Sequence, residues 1–179
     1  MNFFKIFIIS VLSTFVLYTI NGVTNNLQKK ALKEIAKTFD LKNPVLEAIV
    51  ISQEINDQLN KPISDQSLFK IKENNEIKGF AYIDKALSKT DEFDYVILLD
   101  KNLIIVKTKV LIYREDYGGE IGSNRWLKQF IGKNKGDNLI YNTNIMAISG
   151  ATISAQSITK AINVFLQDLN ILYTNTIFQ

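Results

Sequence analysis

The chain has 179 residues, nearly half of them apolar, which suits one ordinary domain with a short appendage and a real core. It has no cysteine and no histidine, which excludes disulfides, thiolate or imidazole zinc sites, iron–sulfur clusters, haem held by histidine, and Ser-His-Asp hydrolysis. A net charge of +3 with scattered lysines offers no basic stripe with interleaved aromatics, so nucleic acid is not an expected partner.

Residues 6–23 carry no charge and are mostly Ile, Val, Leu, Phe and Thr, just enough to span a bilayer as a helix. A cleaved signal peptide is the alternative, but Tyr18-Thr19-Ile20-Asn21-Gly22 matches a small-x-small cleavage site poorly. An uncleaved anchor over residues 1–23 is therefore expected. Lys29, Lys30, Lys33 and Lys37 follow it, a charge bias that by itself favours a cytoplasmic domain. Long domains translocate largely regardless of such charges, so the residues leave the side open.

Residues 25–40 read as an amphipathic helix, with Leu27, Ala31, Ile35 and Phe39 recurring every fourth residue. Its expected role is a stalk, residues 24–42, that leaves the membrane and packs on a domain of residues 43–179. Asn43-Pro44 ends it. Residues 45–51 are β-branched and apolar and suit a strand; residues 52–67 are polar and suit a loop with a short turn or two. Four strands then follow in hairpin order, 68–72, 77–84, 93–100 and 103–114, with turn signals at Asn74-Asn75 and Lys101-Asn102. Beyond a glycine-bearing loop, 115–122, a short helix capped by Ser123 runs to about residue 131 and stops at Gly132. A short strand is expected over 139–147. A long helix then runs from Thr152 to about residue 172, with Ile158, Ile162, Phe165, Leu166 and Leu169 on its buried face. The fold class is α+β, a mainly antiparallel sheet packed by helices, with an N-terminal transmembrane or signal helix.

Ser149-Gly150-Ala151-Thr152 sits where the chain enters that helix. The first N–H groups of a helix lack partners and the helix dipole favours negative charge there, while glycine lets backbone approach a ligand. These features allow a phosphate seat, or simply a hydroxyl cap. Gly118 and Gly119 allow either close approach to a flat ring or a tight turn. Trp126 is either a stacking partner or core, and Glu120 and Tyr117 are either pocket or surface. The loop holding Ser88, Lys89 and Thr90 either neutralises a phosphate or faces water.

Ser149-Gly150-Ala151-Thr152-Ile153-Ser154, with Tyr113-Arg114-Glu115, Gly118-Gly119-Glu120-Ile121, Trp126-Leu127-Lys128-Gln129-Phe130 and Gly132-Lys133 upstream, resembles the FMN-binding domain family over roughly residues 78–170. That family includes the flavin-carrying small subunits of the sodium-pumping quinone reductase and of the related ferredoxin-linked electron-transport complex. The resemblance implies FMN joined through a phosphoester to Thr152 by a separate flavin transferase. It also implies a cofactor site drawn from Ser149, Gly150, Ala151, Gly118, Gly119, Glu120 and Trp126, redox partner proteins, and a domain on the extracytoplasmic (periplasmic) side of a membrane. Thr152 is then a tether, with no catalytic acid, base or nucleophile and no metal implied. At one position the chain departs from the family pattern: the acidic residue three before the serine is here Met146. That departure keeps open a membrane-anchored binding or assembly module that has lost the flavin. An FMN-dependent extracytoplasmic reductase is the other alternative, though Arg114 and Arg125 are its only arginines.

Overall fold

The computed structural model describes residues 26–179. The expected anchor or signal segment lies outside the described residues, and among these no helix is long and apolar enough to cross a membrane. Five strands form an antiparallel meander in sequential order: β1 (Val45–Ala48), β2 (Leu68–Glu73), β3 (Glu76–Leu87), β4 (Glu92–Leu99) and β5 (Ile105–Ile112). The hairpins turn where the residues predict. Asn74 and Asn75 both adopt positive φ, as a two-residue hairpin turn requires. The Asp100 carboxylate accepts the N–H groups of Asn102 and Ile104 at the next turn.

A helix covers each face of the sheet. Helix α1 (Asn26–Phe39) buries Ala31 and Ile35 completely against Phe69, Ile71, Ala81, Ile83, Val96, Leu98 and Leu111. Helix α4 (Thr152–Thr174) buries Ile158, Ile162, Phe165, Leu166 and Leu169 on the opposite face, against Phe80, Tyr82, Tyr95, Ile97 and Leu99. Strand β4 is thus buried from Phe93 to Leu99 without a break, because its neighbours alternate between two apolar layers. Each such side chain contributes roughly 1.5–3 kcal/mol on burial.

Polar groups inside are anchored. The buried Asp168 carboxylate accepts Asn60 N and Nδ2, both at 2.7 Å, and Lys61 N at 3.1 Å, fixing the 52–67 loop to α4. That loop contains a one-turn helix, α2 (Gln53–Asn56), capped by Ser52. Tyr82 and Tyr95 both donate to Asp84, which also pairs with Lys61 at 2.5 Å. Burial first, and then the Asp84 charge, push both phenols well above the ordinary tyrosine value, so both remain neutral donors. Thr108 on β5 differs. Among the described residues its hydroxyl is the buried side-chain oxygen without a hydrogen-bond partner. Thr108→Val is expected to raise stability by about 1 kcal/mol, read as a higher urea midpoint at unchanged slope.

Two expectations are corrected. Residues 139–147 form no strand: Asn142 takes a positive φ, and the Asn144 side chain bonds Ile140 N and Asn138 O. The segment therefore folds back on itself, leaving a single bridge between Tyr141 and Ile145. The helix after Ser123 is also broken. It is one α turn, α3 (Asn124–Leu127), running into a 3-10 turn at Lys128–Phe130, and the Ser123 side chain caps nothing. Gly132 does stop the segment, at φ +85°.

Candidate functional site

The site lies at the end of the sheet where β3 and β5 finish and α4 begins. Beyond β5 the chain runs through Tyr113 into a loop whose turn depends on Gly118, at φ +84°. The Tyr113 hydroxyl donates to Tyr117 O at 3.0 Å and lies 3.1 Å from Ser154 Oγ in the first turn of α4. One phenol therefore ties the loop to the helix start. A Cβ on Gly118 would stand 2.5 Å from that phenol oxygen. Gly118→Ala is expected to cost about 1–2 kcal/mol from backbone handedness alone and to displace Tyr113. A thermal melt would show the first effect, and a change in the near-ultraviolet tyrosine signal the second.

Helix α4 starts without a side-chain cap. Ala151 occupies the cap position, so the expected hydroxyl cap from Ser149 or Thr152 is not formed. The N–H groups of Thr152, Ile153 and Ser154, which cannot find partners within their own helix, are left for an external acceptor. Gly150, at φ +86°, brings the chain in beside Glu120; a Cβ there would stand 3.1 Å from the Glu120 carboxyl.

These elements enclose an open hollow of about 270 Å³, lined by Lys89, Tyr113, Tyr117, Gly118, Thr152 and Ser154 among others. Its floor and walls are fixed from the β3–β4 turn. The Glu115 carboxylate accepts Thr90 N at 2.6 Å and Asp91 N at 3.2 Å. The Ser88 hydroxyl first, and then those N–H groups, hold Glu115 below the ordinary carboxylate range. Its grip on the turn is therefore complete at neutral pH and is lost only as pH falls through that lowered value. The turn in turn presents Lys89, exposed and with no ion-pair partner among the described residues, at the hollow's edge.

Of the residues expected at a cofactor site, Gly118, Gly150, Ala151 and Thr152 line this hollow together, while Glu120 lies beside Gly150 and is not part of the lining. Gly119 opens a 3-10 turn, Gly119–Gly122, with empty space where its side chain would be. Ser149 and Trp126 belong instead to a neighbouring hollow with Arg125, Gln129 and Met146. Trp126 is buried there, edge-on to Phe130 at 5.4 Å, and its indole N–H donates to Met146 O at 2.7 Å. Its observed partners are those of a core residue. Tyr113 and Ser154 are the residues that sequence reasoning undervalued, since their pairing joins positions 41 apart. Arg114 is fully engaged, paired with buried Asp94 and donating to Glu92 O at 2.7 Å. Among the described residues no cluster of three or more acidic side chains could hold a metal ion.

Residues 89–167 match the family model described as FMN-binding domain. No curated protein matches the chain. The matched segment begins at Lys89 on the edge of the hollow and includes its other lining residues, through Ser154. It supports a flavoprotein with FMN as the cofactor. The residues present fit that group at its phosphate end. The start of α4, with N–H groups that have no partner in their own helix, the Thr152 hydroxyl and Lys89 line one hollow, which suits a phosphate, and the Glu115 carboxylate on the same wall is engaged by Thr90 N and Asp91 N. A volume of about 270 Å³ is at the low end for a small-molecule site, so it suits part of the cofactor and would not enclose all of it.

Proposed function

We propose that this chain is a membrane-attached electron-carrying flavoprotein whose FMN is joined through a phosphoester to Thr152, on the extracytoplasmic side. The observation that carries the reading is the uncapped start of α4, with the exposed Thr152 at its first position and Lys89 across the hollow. Bound flavin would supply the electron-accepting and electron-donating chemistry. The chain's own groups would do the rest. Thr152 Oγ would give up its proton and become the ester oxygen, displacing the nucleoside monophosphate of a flavin dinucleotide held by the transferase, so that the P–O bond of the diphosphate breaks as the new ester forms. The N–H groups of Ile153 and Ser154 would donate to phosphate oxygens, and Lys89 would offset their charge. Tyr113 would keep the loop and the helix start in register. No residue here is assigned as an acid or base in turnover. Maturation by a flavin transferase and exchange with redox partner proteins complete the reading.

Met146 favours a second reading, a binding or assembly module without flavin. Its side chain is 73% exposed, while its backbone is pinned on both sides, Met146 N by Gln129 Oε1 and Met146 O by Trp126. The position is thus rigid and open to a visiting enzyme. Met146→Asp restores the acid of the family pattern without disturbing packing. With limiting transferase it is expected to raise the rate of FMN attachment about tenfold, equivalent to about 1.4 kcal/mol of recognition. Intact mass against time reads this. Equal rates would remove any role for the acid in this chain. No attachment to either form, with a transferase active on another substrate, would favour the module.

A further inference from the structure

The direction of α1 carries a consequence for where the flavin site faces. The Lys30 ammonium donates to Leu111 O at 3.2 Å, two residues before Tyr113 of the site. At the other end of α1, Phe39 packs over Gly79, where β3 begins and β4 ends. Helix α1 therefore starts beside the site and runs away from it, as α4 does. The uncharged stretch 6–23 stops three residues before Asn26, which is about 10 Å of fully extended chain. If that stretch enters a bilayer, the site end of the domain is held at the bilayer surface.

The side chains at that end suit such a surface. Leu87, Tyr117 and Ile153 are 62%, 86% and 50% exposed around the hollow, and Tyr117 and Ile153 line it. Leu87 is seated beside them by its N–H bond to Ser157 Oγ in α4. Lys29, Lys30, Lys33 and Lys89 are exposed at the same end. An aromatic and aliphatic rim with lysines around it is the composition that settles at an anionic lipid interface.

We propose that the rim of Leu87, Tyr117 and Ile153 rests on the lipid surface, so that the flavin site faces the membrane. This rests on the membrane attachment proposed above. The carrier's exchange partner then meets it at membrane level and not from the aqueous side.

The full chain has no cysteine, so Leu87→Cys and Lys101→Cys each take a single environment-sensitive fluorophore, at the rim and at the opposite end of the sheet. Each is reconstituted in vesicles of phosphatidylethanolamine and phosphatidylglycerol, with and without nitroxide-labelled lipid. Vesicle flotation is read first. The expected result is flotation, blue-shifted emission at position 87 with most of it lost to nitroxide lipid, and neither effect at position 101. Flotation with no lipid quenching at 87, or with equal quenching at both positions, overturns the orientation. Shielding of position 87 from an aqueous quencher without lipid quenching means a second copy covers the rim, and overturns it too. Failure to float overturns the membrane attachment itself, a distinct result.

Discussion

Gly79→Ala is expected to lower stability by about 3 kcal/mol, the largest loss expected from a methyl added at any of the described glycines. Gly79 lies inside β3, where strands normally avoid glycine. A Cβ there would be driven into the Leu99 carbonyl oxygen of β4 and would stand 2.8 Å from the Phe39 ring. The carbonyl belongs to the central ladder and cannot swing aside, so either the β3–β4 pairing opens or Phe39 leaves its seat. Leaving would unseat the last turn of α1 and expose the apolar layer formed with Ile35, Ile71 and Leu98. At this chain length the cost corresponds to a fall of roughly 6–12 °C in melting temperature. The site lies at the other end of the sheet, so flavin attachment to the folded fraction should be unchanged. An unaltered melt would mean that α1 does not pack where the structure places it.

Thr152→Val is expected to abolish covalent flavin entirely while leaving stability within about 0.5 kcal/mol. The side chain is exposed, and α4 draws no side-chain cap from it, so the fold does not depend on its hydroxyl. The effect should appear as loss of the mass increment of FMN less one water. Thr152→Ser keeps the hydroxyl and should retain attachment. The neighbouring hydroxyls are poor substitutes for different reasons. Ser154 is buried against Tyr113, and Ser149 faces the adjoining hollow. An adduct that survives in Thr152→Val would move the tether to one of these and would require the hollow to rearrange.

Much of the sheet could be read from the residues, because its cues are local. Strand β5 announces itself by β-branched alternation through Val106, Thr108 and Val110, and the β2–β3 hairpin by Asn74-Asn75. The amphipathic period of α1 was equally plain, and the structure shows where its apolar stripe goes: onto the sheet face opposite α4. What local cues could not provide were contacts made across long separations. Nothing near Tyr113 in the chain points to Ser154, and nothing near Trp126 shows that its indole N–H is spent on Met146 O. The segment 139–147 misled for a related reason. Its apolar residues suggest a strand, but side-chain bonds from Asn144 to nearby backbone won over ladder pairing. At the site, the motif itself was legible through its resemblance, whereas the absence of a cap at Ala151 was not. Ser149 and Thr152 are both good capping residues by type, and only the geometry shows that neither caps.

Peptide mapping shows where the flavin is joined. The full chain is produced together with a flavin transferase, digested, and its flavin-bearing peptides are fragmented. The expected result is one yellow peptide with the phosphoester on Thr152, its flavin retained when the intact protein is precipitated with acid. Colourless protein, flavin released by acid, or flavin mapped to any other residue would rule out a tether at Thr152.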